Sequence, residues 1–236
     1  MCTSFTINRN KTLVGWNLDI LDMEYRVTSS DEGVFIEIYD AKEGWLPVFG
    51  ANSRAEFVGM PTCHPFDDRS NPKGDGPITM MLGIELLLKR KTFDEIKTIA
   101  ENGPVYSIPD VTFMSSLTDA CGNVLHIVPG QGYKYYEKPS HIVLTNFSPF
   151  KGDSQMHPWM GLDRYQIANE MLSKAGDDFD VSDCFEVLKA CLQEVCPTVV
   201  SMVLDSNTQE VYWCENRKWD CIEKKKFMRG SQYVRD

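Results

Sequence analysis

Apolar and polar residues alternate with a period of two from Thr3 to Ile7, Asn8-Arg9-Asn10-Lys11 is turn chemistry, and Thr12 to Leu18 reads as a returning second arm. This predicts an opening hairpin. Further strands are predicted over Tyr25–Thr28, Val34–Tyr39 and Trp45–Phe49, separated by Ser29-Ser30-Asp31-Glu32-Gly33 and by Lys42-Glu43-Gly44. Residues Pro61 to Pro77 carry Pro, Gly, Asp and Asn in quantity and predict a long irregular stretch. Two helices follow, Ile78–Lys89 and a second that opens at the capping box Thr92-Phe93-Asp94-Glu95 and stops at Asn102-Gly103-Pro104.

Strands resume at Val111–Leu117, Val124–Val128, Tyr133–Glu137 and His141–Leu144. A second helical pair is predicted over Leu162–Lys174 and Cys184–Val195, the latter capped by Asp183 with Glu186 as the carboxylate three residues on. Strands Val199–Leu204 and Glu210–Glu215 close the pattern. Parallel βαβ alternation needs a helix after nearly every strand, and this order lacks it. Runs of strands separated by helical pairs predict an α+β fold of one domain over residues 2–236. Two mainly antiparallel sheets stack in it, each covered on its outer face by a helical pair, in a four-layer αββα sandwich.

Composition narrows the class of partner. The 236 residues are 42% hydrophobic and 25% charged, an ordinary globular balance. The formal charge of −10, from 24 Lys+Arg against 34 Asp+Glu, argues against nucleic acid, whose phosphates need a basic footprint. The basic run Lys224-Lys225-Lys226 reads as a solvated tail. The longest apolar stretch, Met80–Leu88, is interrupted by Gly83 and Glu85, so no membrane insertion is expected. The start of the chain does not read as a secretory signal, and the expected location is cytoplasmic.

The eight cysteines are then expected to be reduced thiols. Cys184 and Cys191 share a helical stripe with Val187, Leu188 and Val195. No CxxC occurs, and Cys63-His64 has no second ligand pair at metal spacing, so neither a metal nor another cofactor is expected. Cys2 stands apart. Removal of Met1 would leave a thiol and a free α-amine on one residue, both titrating near neutral pH. Such an amine can take the thiol proton and return it to a leaving amine, which is general acid–base catalysis without histidine.

The neighbours of Cys2 sharpen this. Cys2-Thr3-Ser4 is followed by Gly15-Trp16-Asn17-Leu18-Asp19, then by Gly50-Ala51-Asn52-Ser53 and by Leu144-Thr145-Asn146. In this order the sequence resembles the N-terminal-nucleophile linear amide hydrolases of the choloylglycine hydrolase and penicillin V acylase family. The resemblance implies that Cys2 is the nucleophile and that Asp19 accepts a hydrogen bond from its α-amine. It implies an oxyanion site made by the Asn146 side chain and the main-chain N–H of Asn52. Such donors are worth about 3 to 4 kcal/mol each in acyl transfer. Arg164, at the start of a helix after the Thr-Asn strand, corresponds to a further family arginine. Trp16 stands where the family places an arginine before Asn-Leu-Asp, which removes a cation expected near the thiol.

The implied reaction is hydrolysis of a non-peptide linear amide of an N-acylated small molecule, through a thioester. Acyl transfer to an amine from the same thioester, and a binding protein whose chemistry is weakened by Trp16, stay open beside it. The apolar acyl pocket is expected from Trp16, Met23, Tyr25, Phe57, Met60 and Phe66, each of which equally suits a core position. The chain is shorter than typical family members. A homo-oligomer is open, and its form is not to be copied from relatives.

Overall fold

Leu13 points to one side of a strand and Val14, Trp16 and Leu18 to the other, yet all four are buried. A strand buried on both faces needs a layer on each side of it. The computed structural model, which describes residues 1–150 and 160–227, supplies those layers. Strands β1 (Cys2–Asn8) and β2 (Thr12–Asp19) form the expected hairpin, with Cys2 opposite Leu18 and Ser4 opposite Trp16. A meander follows: β3 (Tyr25–Ser29), β4 (Gly33–Asp40), β5 (Gly44–Asn52) and the short β6 (Phe57–Gly59), whose three residues are too few to show a period.

Helices α1 (Thr79–Leu87) and α2 (Phe93–Asn102) come next, and both halves of the Thr92/Glu95 capping box are made. Strands β7 (Ser115–Thr118), β8 (Val124–Val128), β9 (Gly132–Tyr136) and β10 (His141–Leu144) lead to helices α3 (Leu162–Ser173) and α4 (Val181–Ala190). The chain then forms β11 (Thr198–Asp205), β12 (Glu210–Glu215) and β13 (Glu223–Lys226).

Among the described residues these strands make two antiparallel sheets, ordered β10-β1-β2-β11-β12-β13 and β3-β4-β5-β6-β7-β8-β9. Helices α1 and α2 pack on the second sheet, α3 and α4 on the first. The expected four layers are therefore present. Val14, Trp16 and Leu18 of β2 join Val200, Met202 and Leu204 of β11 against Phe49, Ala51 and Phe57 of the facing sheet. On the other side of the same strands, Phe5, Ile7, Leu13 and Val203 pack beneath Ala168, Leu172, Phe185 and Leu188 of α3 and α4.

Three elements depart from the sequence pattern. Helix α4 starts earlier and ends earlier than the Cys184–Val195 expectation. Asp180 is its N-cap, accepting from Ser182 and Asp183, and Asp183 reaches back to the Asp180 N–H, so this reciprocal box displaces the cap expected at Asp183. The helix stops at Ala190, and Val195 is 84% exposed instead of sharing the buried stripe of Cys184 and Cys191. The expected strand Val111–Leu117 is regular only from Ser115.

The run Lys224-Lys225-Lys226 is an edge strand, not a tail. It pairs with β12, its charges met by Glu210 at 3.7 and 3.5 Å and by Asp31 at 2.8 Å. Lysines on an edge also discourage further strand pairing.

Candidate active site

The β1/β2 pairing opposes Cys2 and Leu18, so Asp19 is one position beyond, at the end of the sheet where β11 begins. The carboxylate of Asp19 is fully buried there. Its Oδ1 accepts from the Thr198 hydroxyl at 2.6 Å, while its Oδ2 has no hydrogen-bond partner among the described residues and lies 3.6 Å from Arg164 Nη1. Burial raises its pKa from the ordinary carboxylate range to about 7, against the opposing pull of Arg164.

Arg164 is 2% exposed and reaches in from the first turn of α3. One terminal nitrogen donates to the Cys2 carbonyl at 2.6 Å and to the Thr3 hydroxyl at 2.8 Å; the other donates to Asn146 Oδ1 at 2.8 Å. Asn146 follows the buried end of β10. Its Oδ1 also accepts from the Cys2 main-chain N–H at 2.9 Å, and its Nδ2 donates to the Thr62 carbonyl at 2.7 Å and hydroxyl at 3.1 Å. Cys2, Asn146 and Arg164, spread over most of the chain, thus meet in one hydrogen-bonded group, with Asp19 joined to it by its ion pair with Arg164. Position 16 itself supplies no cation, and Arg164 approaches Cys2 from the helical side of the sheet.

The Cys2 thiol opens on a cavity of about 410 Å³. Burial pushes the thiol up to about 11, with the nearby amino terminus opposing that shift. The Met1 ammonium donates to the Asp19 carbonyl at 2.7 Å and to the Cys196 sulfur at 3.6 Å, so Met1 and Cys196 lie over the nucleophile's end of the cavity.

Asn52 is not part of this group. Its N–H donates to the Glu56 carbonyl at 3.0 Å, and its side chain donates to Glu56 Oε2 and the Leu86 carbonyl, bracing the β5–β6 turn against α1. The donor expected from Asn52 is therefore committed elsewhere.

Thr62 offers a replacement. In the bridge between Thr62 and Phe113, Cys63 N–H donates to the Thr112 carbonyl and Met114 N–H to the Pro61 carbonyl, which turns the polar groups of Thr62 away from Phe113. Its carbonyl meets Asn146, and its N–H, on the same side of the extended chain, donates to no other group among the described residues.

The expected apolar wall is corrected at four positions. Met23 and Met60 line the cavity. Trp16 does not: it is fully buried between the sheets, stacked on Phe49 at 5.3 Å, and a Cβ at Gly59 would come within 2.7 Å of its ring. Phe57 is likewise core. Tyr25 packs at the edge of that core with its hydroxyl 3.4 Å from Asn216 Oδ1. Phe66 is exposed and lies against the His64 ring.

The pattern missed Leu18, Ile20, Leu21, Ile38, Val48, Phe49, Met80, Ile108 and Phe113, which make most of the wall. Thr62 and Cys196 were missed too, since each lies in an irregular segment with no local periodicity. Among the described residues no group of His, Cys, Asp and Glu is arranged to hold a metal ion, and no helix is long and apolar enough to cross a membrane.

A scan against protein-family models and a search of curated proteins each return no match. Solved structures do match. A mutant conjugated bile acid hydrolase from Clostridium perfringens is similar at 11% identity and a TM-score of 0.65, over 96% of this chain and 92% of that one. Penicillin V acylase from Agrobacterium tumefaciens is similar at 14% identity and 0.61, over 92% and 83%. A Caenorhabditis elegans ortholog of N-acylethanolamine-hydrolyzing acid amidase is similar at 16% identity and 0.59, over 87% and 93%. The fold of this chain is that of the N-terminal-nucleophile hydrolases.

Proposed function

We propose that this protein hydrolyses a non-peptide linear amide of an N-acylated small molecule, with Cys2 as nucleophile once Met1 has been removed. The observation that carries this reading is the convergence of Asp19, Asn146 and Arg164 on the Cys2 backbone at the end of an apolar cavity. Loss of Met1 turns the Cys2 amide into an amine. One of its hydrogens keeps the bond to Asn146 Oδ1, and the unpartnered Asp19 Oδ2 accepts another.

In the reaction the α-amine takes the thiol proton as Sγ attacks the amide carbonyl carbon. The oxyanion forms against the Thr62 main-chain N–H and an Asn146 Nδ2 hydrogen, the latter exchanged from the Thr62 hydroxyl. The C–N bond breaks, the α-ammonium gives its proton to the departing amine, and a thioester remains on Cys2. Water then attacks the thioester, loses a proton to the same amine, and releases the acid as the thiol re-forms. Acyl transfer differs only in the acceptor at the last step.

The test is the intact mass of the purified chain before and after a bromoacetate or penicillin-type probe. The expected result is a chain lacking Met1 with one adduct on its N-terminal peptide. An unmodified chain that retains Met1 would sink the proposal. A parallel amidase screen with N-acyl amino acids, conjugated bile salts, penicillin V and N-acyl homoserine lactones reads the substrate directly.

A further inference from the structure

The cavity above Cys2 is unusual in its charge. Among the described residues that line it, the ionisable side chains other than thiols and a tyrosine are two carboxylates, Asp19 in its depth and Asp40 at its rim. Among the described residues no Lys, Arg or His side chain lines it. The nearby guanidinium groups are committed elsewhere. Arg164 is sealed behind β1 by its bonds to Cys2, Thr3 and Asn146, and Arg217 is held by Glu194 and the Gln193 carbonyl.

Apart from Thr62, the rest of the wall is hydrocarbon and thioether, and the exposed rim carries Leu21, Met23 and Tyr39. Asp40 accepts at 2.8 and 2.9 Å from the turn N–H groups of Lys42 and Glu43, which fix its carboxylate at the mouth.

An anion drawn into such a site loses its water, meets no cationic side chain among the described residues, and faces a carboxylate at the entrance; the positive group near it is the amino terminus, whose neutral form the reaction needs as its base. A neutral group escapes the charge desolvation, and a cationic one has its own desolvation offset by the carboxylate at the entrance. We propose that the substrate is an amphiphilic amide without a carboxylate, sulfonate or phosphate: an apolar acyl chain joined to a neutral or cationic amine. This rests on the amidase reading above and narrows it to one charge class. Asp40 is the residue that sets the preference between neutral and cationic amine parts.

The experiment uses three amides of one acyl chain, the decanoyl derivatives of glycine, ethanolamine and ethylenediamine. Turnover is measured with the wild-type chain, and binding with Cys2→Ala, which retains the cavity and lacks the thiol. The expected result is that the glycine amide is at least about tenfold poorer than either other amide, in kcat/KM and in Kd. Asp40→Asn, which keeps the acceptor for the turn N–H groups, should lower the diamine-to-ethanolamide ratio at least threefold.

A glycine amide that matches or exceeds the others overturns the charge class, and an unchanged ratio in Asp40→Asn overturns the role of Asp40. Charge-ranked binding to Cys2→Ala without turnover in the wild type would overturn the amidase reading and leave the charge class standing. Failure of all three to bind overturns both.

Discussion

The guanidinium of Arg164 donates at 2.6 Å to the carbonyl oxygen of Cys2, a contact made across 162 positions of sequence. It fixes the first turn of α3 to the start of β1, and the same side chain holds the Asn146 amide and faces the Asp19 carboxylate. Arg164→Ala leaves that buried carboxylate without its nearest cation, and the expected cost is about 3 to 5 kcal/mol in urea unfolding. Arg164→Lys keeps the charge but loses the fork that spans Cys2 and Asn146. Its expected signature is a retained fold with kcat at least about tenfold lower at little change in KM, which steady-state kinetics would show.

Gly161, the N-cap of α3, has φ of +82°, and a Cβ there would lie 2.5 Å from Arg164 Nη2. Gly161→Ala therefore combines left-handed strain, about 1 to 2 kcal/mol, with displacement of the arginine head. Calorimetry should show a lower Tm, and turnover should fall as it does in Arg164→Lys. Full activity in Gly161→Ala would show that the arginine head is free to move without cost to the chemistry.

The main-chain donor at Thr62 can be separated from its hydroxyl. Thr62→Val removes the hydroxyl and keeps the N–H, so turnover should stay within a few fold of wild type. Thr62→Pro removes the N–H, and the expected loss in kcat is about a hundredfold or more. Circular dichroism on both variants distinguishes this from unfolding. Equal losses in the two would move the oxyanion role to the side chain.

Asp19 gives stability a defined pH dependence. Its carboxyl titrates near 3.8 when unfolded and near 7 in the native chain because burial disfavours its charge. Between these values the native state holds the extra proton, so the contribution of Asp19 to stability falls as pH rises from about 4 to about 7 and is level beyond. Asp19→Asn should lose this slope. The difference in Tm between the two proteins, measured across that range, should change in favour of the variant as pH rises, while turnover of the variant drops.

The hairpin, the Thr92 cap and the helix pairs were legible because each is encoded within a few residues. Asp19 and Asn146 were legible because short motifs placed them at strand ends beside Cys2. Trp16 was not, since an aromatic on the inner face of β2 reads the same whether a cavity or Phe49 lies opposite. Asn52 misled for a related reason: the groups that occupy it, Glu56 and the Leu86 carbonyl, belong partly to a helix 34 residues away. Thr62 and Cys196 reach the site only through sheet pairing and a loop path, neither of which leaves a period in the sequence.

Strand β1 lies between β10 and β2, and each of its residues from Cys2 to Asn8 is buried. The amides beside the nucleophile should therefore be among the last to exchange with deuterium, opening only when the whole sheet opens. Heat should then abolish activity and fold in a single step, because the nucleophile opens a strand that is buried along its whole length and cannot loosen ahead of its sheet.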